Sequence, residues 1–182
     1  MSLFSKFVSA ADKALTQAAQ NRLLADYRRS VDADKWFVRR WISTANDPHW
    51  KADFLQYCES PAEEAFLQSA ISSFRLEPDK GSLIGEIKLS LQVPVKPYRL
   101  DFLVNDMLVV EIDGAAYHSS TEALKRDSER DRYLQSLRYS ILRVPAKVVF
   151  NEPQVAMNSI RTAIRQRPPT KPPTAHRTNI LW

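Results

Sequence analysis

Three carboxylates stand where strand-forming apolar residues are expected. Asp101 interrupts Tyr98-Arg-Leu-Asp-Phe-Leu-Val104, Glu111 lies near the end of Met107-Leu-Val-Val-Glu-Ile112, and Asp113 follows two residues later on the same strand face. A carboxylate in an apolar setting is costly unless it is paired or bound to a metal. Asn105-Asp106, between the two runs, reads as a tight hairpin turn. With a two-residue turn, residue 101 faces 110 and residue 111 lies one step away. A small register shift or bulge then sets Asp101 and Glu111 side by side at one end of a sheet. Two acids that close raise each other's pKa unless a cation neutralises them. A hard divalent ion, Mg²⁺ (or Mn²⁺), held by Asp101, Glu111 and Asp113, is one solution. Salt bridges to Arg99, Lys96 or Arg143 are the other.

Two further features lie just downstream. Gly114 directly follows Asp113, where the strand must turn or something must approach the backbone. His118 stands just before the next helix, as a surface residue or as a general base or acid. That helix starts at Ser119 or Ser120 and runs to about Arg138, with Leu124, Leu134 and Leu137 as its inward stripe. Asp127 and Asp131 fall on the same stripe and Arg130 beside them, as i,i+3 ion pairs or as charges directed at the sheet.

The elements that must position these groups follow from periodicity. Ser60-Pro61-Ala62-Glu63 is a helix start, with a capping Ser, Pro at the first position and Glu three residues after the cap. Phe66, Leu67, Ala70, Ile71 and Phe74 form its apolar face, and Glu77-Pro-Asp-Lys-Gly81 ends it in a loop. The period then changes from 3.6 to 2: Ile87, Leu89, Leu91 and Val93 alternate with polar residues as a half-buried strand. Residues 98–104 and 107–112 are the second and third strands, the third buried on both faces. Residues 139–144 are the fourth, parallel to the third because a helix crosses between them. A last helix spans 152–165. Upstream, one amphipathic helix over 3–27 carries an alanine-rich stripe suited to a neighbouring helix or to a second subunit in a homodimer. Asp32 or Asp34 caps a second helix with Trp36 and Trp41, and Asp47-Pro48 opens a third through Phe54 and Leu55.

Composition bounds the function. With 44 % apolar and 26 % charged residues in 182, this is a globular chain of one domain with an arm. No apolar run spans a bilayer, the N-terminus is not a signal peptide, and one cysteine, Cys58, excludes a disulfide framework and a Cys-based zinc site. A cytoplasmic setting is the simplest expectation. The net charge of +5 is local: Arg161, Arg165, Arg167, Lys171 and Arg177 follow residue 160 with no acid among them. Together with Pro168, Pro169, Pro172 and Pro173 they describe an extended basic tail, either solubilising or directed at a polyanion such as DNA.

Taken in order, Ser60-Pro-Ala-Glu63, Tyr98-Arg-Leu-Asp101-Phe, Val110-Glu111-Ile-Asp113-Gly114, His118, Asp127-x-x-Arg130-Asp131 and Leu142-Arg143 resemble the PD-(D/E)XK nuclease superfamily. Within it they are most similar to the branch of proteins related to very-short-patch-repair endonucleases. The resemblance covers about 60–150. It implies an α/β fold: a restriction-endonuclease-like αβββαβ core with a mixed four-stranded sheet, preceded here by N-terminal helices. It also implies divalent-metal-dependent hydrolysis of nucleic-acid phosphodiesters. Asp101 matches the strand aspartate that bridges metals, Glu111 the second acid of the motif, and Glu63 the helix glutamate near the metal. His118 matches a histidine of the repair endonucleases, and Asp127 and Arg130 a supporting pair on the following helix. The motif lysine expected two residues after Glu111 is Asp113, a third ligand but no ammonium. Glu86-Ile-Lys88 mimics the motif on the wrong strand. The expected organisation is a helical arm over 1–59, an endonuclease-like core over 60–166 and a Pro-rich basic tail over 167–182. The expected activity is a DNA endonuclease in repair, restriction or phage defence. The alternatives are an inactive nucleic-acid-binding or assembly module of the same fold and a helical-arm adaptor.

Overall fold

The computed structural model describes residues 42–114 and 121–166. The helices expected upstream of residue 42, His118 and the tail over 167–182 lie outside the described residues.

Helix α1 (Trp50–Leu55) follows a turn in which the Asp47 carboxylate accepts the His49 N–H at 2.8 Å. Helix α2 (Pro61–Ser73) begins as its sequence dictates. Ser60 is extended and its Oγ accepts the Glu63 N–H at 3.2 Å, with Pro61 at the first helical position. The following segment, expected as loop, is a short hairpin of β1 (Glu77–Asp79) and β2 (Ser82–Ile84). Its turn residues Lys80 and Gly81 have φ of 44° and 75°, the left-handed pair that a two-residue hairpin needs. Gly85 follows where any Cβ would sit 2.4 Å from the Arg75 carbonyl oxygen, so a glycine is required.

Strands β3 (Lys88–Val95), β4 (Tyr98–Val104) and β5 (Leu108–Asp113) form an antiparallel meander. Helix α3 (Thr121–Ser136) crosses over to β6 (Ser140–Pro145), which lies parallel to β5. The expected αβββαβ order is therefore present in a mixed α/β architecture. The β1–β2 hairpin extends the expected four strands to a six-stranded sheet, ordered β1 to β6 in sequence. A short helix that was not expected, α4 (Ala146–Asn151), precedes the last helix, which is expected over 152–165 and is α5 (Pro153–Gln166). Pro153, which cannot continue a helix hydrogen-bond ladder, starts the second.

The sheet is covered on both faces. Phe66, Leu67 and Phe74 of the α2 region, Val149 of α4 and Met157 and Ile160 of α5 pack on Leu89, Leu91, Phe102 and Val110. On the other face Leu134 of α3 packs with Val93, Val95, Leu100, Leu103, Val109 and Tyr139. Leu124 is 56 % exposed, so the inward stripe of α3 is confined to its C-terminal half, at Leu134 and Leu137. Leu91 and Val93 lie on opposite faces, and so do Phe102 and Leu100. Both strands change face between the pairs Leu91↔Phe102 and Val93↔Leu100, at Gln92 and Asp101. Gln92 carries a φ of 53°, which turns the strand over. The regular alternation of Leu89, Leu91 and Val93 in the sequence conceals this crossing.

Candidate active site

The β4–β5 turn decides the site's geometry. Val104 pairs with Leu108, leaving three residues, Asn105, Asp106 and Met107, in the turn instead of two. Asn105 and Asp106 both take left-handed backbone, with φ of 50° and 58°. The extra residue moves the register by one, to Phe102↔Val110 and Leu103↔Val109. Carried one step further, this register sets Asp101 across from Glu111. Lys88 is engaged in fixing the turn, its Nζ 2.9 Å from Asp106 and its N–H donating to Asn105 at 2.9 Å. Glu86 binds Arg75 at 2.8 Å, so both acid and lysine of the motif mimic serve surface pairs.

Asp101 sits where β4 crosses between faces. Burial raises its pKa, and Arg130 and Arg99 pull it back. Its carboxylate also accepts the Ile112 N–H, which ties it to β5. Glu111, 5 % exposed, is likewise raised by burial and lowered by Arg130 and Arg143, with Asp101 adding repulsion. It forms an ion pair with Arg130, and Arg143, its register partner on β6, lies 3.4 Å away through Nε. Arg143 holds Asp131 through both terminal nitrogens, at 2.9 and 2.6 Å. Arg130 also donates to the Arg99 carbonyl at 3.2 Å and lies over the Tyr98 ring. The guanidinium thus joins α3 to both acid-bearing strands.

Glu63 arrives from the opposite face because it is the third residue of a capped helix. Its Oε2 accepts the Glu59 N–H at 2.9 Å and its Oε1 the Ser60 hydroxyl at 2.9 Å. Burial pushes its pKa up to about 7, with repulsion from Asp101 and Glu59 adding to the rise and those hydrogen bonds opposing it. Glu63, Asp101 and Glu111 are therefore successive electrostatic neighbours.

The expected triad of Asp101, Glu111 and Asp113 does not assemble as drawn from the sequence. Among the described residues no group of three His, Cys, Asp or Glu side chains is placed to hold a metal ion. Glu111 is drawn towards Arg130 and Arg143, and Asp113 lies among Arg143, Asp127, Arg130 and Asp131 on the α3 side. Burial raises the Asp113 pKa and Arg143 lowers it. Asp127 is exposed, and its expected partner Arg130 reaches the sheet instead. A Cβ at Gly114 would meet nothing within 4 Å among the described residues. Arg161 is not free for a polyanion. Its Nη2 caps the Ser73 carbonyl of α2 at 2.9 Å and its guanidinium stacks over Phe74 at 4.6 Å. Arg165 is exposed in the last turn of α5, and Arg167, Lys171 and Arg177 lie outside the described residues.

Sequence reasoning missed Gln92, whose Nε2 lies 3.4 Å from Glu63 Oε2. Nothing in its type or spacing separates it from Ser90 or Lys88, the other polar residues of the same strand.

Residues 85–164 match the model of REase_MTES_1575, a restriction-endonuclease-like family. The matched segment contains β3 to β6, α3, α4 and most of α5, and with them Asp101, Glu111, Asp113, Arg130 and Arg143; α2 and Glu63 precede it. The match supports the restriction-endonuclease-like superfamily, a broader grouping than the very-short-patch-repair branch expected from the sequence. No curated protein and no solved structure matches the chain. Among the described residues no helix is long and apolar enough to cross a membrane.

Proposed function

We propose that this protein is a divalent-metal-dependent endonuclease that hydrolyses DNA phosphodiester bonds, in a repair, restriction or phage-defence role. The observation that carries the reading is the three-residue β4–β5 turn. It fixes the pair Phe102↔Val110, next to which Asp101 and Glu111 are the following residues of the two strands, inside the segment matching a restriction-endonuclease-like family. Glu63 adds a third carboxylate beside Asp101.

The chemistry of these donors suits a hard divalent ion, although no trio of them is preassembled among the described residues. All three groups offer carboxylate oxygens, and burial raises each pKa, which marks negative charge that a cation would stabilise. Asp101 and Glu63 would hold the ion, with Glu111 joining if Arg130 yields. When bound, such an ion stabilises charge on the phosphoryl and leaving oxygens. The chain's own residues do the rest. Arg130 and Arg143 orient Glu111, and Arg130 fixes the β4 backbone at Arg99. Arg99, whose side chain is 41 % exposed and tied to Glu59 at 2.5 Å, stands at the rim where a phosphate would arrive. His118, four residues beyond Gly114, is proposed as the proton-handling group that matches the repair endonucleases, and Asp113 as a supporting acid in place of the motif lysine. Arg165, Arg167, Lys171 and Arg177 are proposed as the phosphate-tracking charges.

The test is cleavage of supercoiled plasmid in Mg²⁺, Mn²⁺ or EDTA. Nicking in either metal, abolished by EDTA and reduced at least roughly 10²-fold by Asp101→Asn, is expected. Cleavage that Asp101→Asn leaves intact refutes the site. The guanidinium pairing of Glu111 favours one second reading, a nucleic-acid-binding module of the same fold without cleavage. DNA retention with no nicking in any metal selects it.

A further inference from the structure

We infer that Gln92 is a further residue of this site, its amide oxygen supplying a neutral donor to a divalent cation held at Asp101 and Glu63. The inference rests on the proposed metal-dependent reading and deepens it. Gln92 lies mid-strand in β3 with a φ of 53°, a backbone conformation that a side chain adopts only at a cost. Glycine is the residue that takes such a conformation freely, so a glutamine here runs against the local preference.

The side chain shows a second cost at the same position. Gln92 Nε2 reaches Glu63 Oε2 only at 3.4 Å, and Gln92 Oε1 is buried with no hydrogen-bond partner among the described residues. A buried acceptor left without a donor is disfavoured. Its place between the pairs Leu91↔Phe102 and Val93↔Leu100 sets Gln92 across from Asp101. The two polar residues placed beside it, Glu63 and Asp101, are carboxylates, which as anions offer no proton. The amide nitrogen is turned to Glu63, which leaves the amide oxygen as an open donor at the strand position across from Asp101, and amide and carboxylate oxygens together are the donors that hard divalent ions take. The crossing of β3 and β4 between faces explains how one residue from each strand turns towards Glu63.

Calorimetric titration of the full chain with Mn²⁺ tests this, alongside thermal melting without metal. Wild type should bind Mn²⁺ and Asp101→Asn should not. Gln92→Gly should weaken binding by roughly tenfold yet melt no lower than wild type without metal, since it relieves the backbone. Gln92→Glu, which restores an oxygen donor, should bind at least as tightly as wild type. If Gln92→Gly binds like wild type while Asp101→Asn does not, the inference fails and the proposed site stands. If the glycine variant loses affinity and Gln92→Glu does not recover it, backbone geometry and not the oxygen matters, which also overturns the inference. Failure of wild type to bind Mn²⁺, or binding undiminished in Asp101→Asn, removes the metal-site reading and the inference together.

Discussion

The two faces of the sheet are built differently. The face covered by α2, α4 and α5 is apolar and dense: Phe66 lies against Phe102 with ring centroids 4.7 Å apart, and Phe54, Leu67 and Met157 are fully buried around them. The face covered by α3 has a smaller cluster around Leu134, bordered by the charged network of Glu111, Arg130, Arg143 and Asp131. One face carries stability by excluding water, and the other relinquishes part of that gain to hold charges in place. Asp101 and Gln92 mark where the strands pass from one regime to the other.

The contrast breaks most directly at its apolar side. Phe66→Ala should destabilise by about 3–5 kcal/mol, because the ring fills a site enclosed on every side. Leu134→Ala, in the smaller cluster, should fall nearer 2 kcal/mol. Urea unfolding of the two variants measures the difference, and equal losses would show that α3 contributes as much to stability as α2.

A pH series comes next. Glu63 is raised from 4.5 to about 7 by burial, so its ionisation is disfavoured in the folded state relative to the unfolded chain. Below pH 4.5 the residue carries no penalty. Stability then falls as pH rises towards 7, by on the order of 3 kcal/mol in all. Glu63→Gln should flatten most of that slope and be the more stable protein at pH 8. The raised Asp101 and Glu111 leave a residual slope of the same sign. A wild-type curve that climbs between pH 5 and 7 would contradict the burial argument.

How much of this was legible beforehand depends on the range of the interactions. Ser60 and Pro61 declared the start of α2 because capping is local, and 98–104 declared β4 because its composition is strongly β-forming. The acids were visible because carboxylates among Val, Leu and Ile are anomalous in any fold. The register was not fixed by sequence: Asn105-Asp106 fits a two-residue turn, and a third residue entered because Met107 donates to the Val104 carbonyl at 3.1 Å within it. The face change at Gln92 was invisible, since alternation of buried residues continues through it while the burying partner changes. Arg161 misled for the same reason, counted as tail charge when a helix terminus and an aromatic ring hold it.

On the charged face, the Arg130–Glu111 pair separates structural from site roles. Arg130→Met leaves Glu111, 5 % exposed, with Arg143 as its remaining cation among the described residues, and should cost about 2 kcal/mol. Glu111→Gln in that background should recover much of the loss, giving a coupling within the roughly 0.5–3 kcal/mol range of contacting pairs. Additive losses in denaturant would mean that Arg130 serves Arg99 and Tyr98 and not the acid.

The smallest effect sharpens the comparison at its edge, between a basic residue that belongs to the apolar face and one that is exposed. Arg161 caps the α2 C-terminus and covers Phe74, so Arg161→Ala should lower stability by about 1 kcal/mol through lost stacking and a lost hydrogen bond. It should leave the salt dependence of DNA binding unchanged, because the guanidinium is already committed. Arg165, exposed one turn later, should behave in the opposite way. Its replacement by alanine should leave melting within experimental scatter and reduce the log–log salt slope by about 0.9, the contribution of one phosphate contact. Fluorescence anisotropy across a salt series, run beside thermal melts, reads both quantities from the same two proteins. A reduced slope in Arg161→Ala with unchanged melting would return that residue to the basic tail and move the boundary of the folded face back to α5.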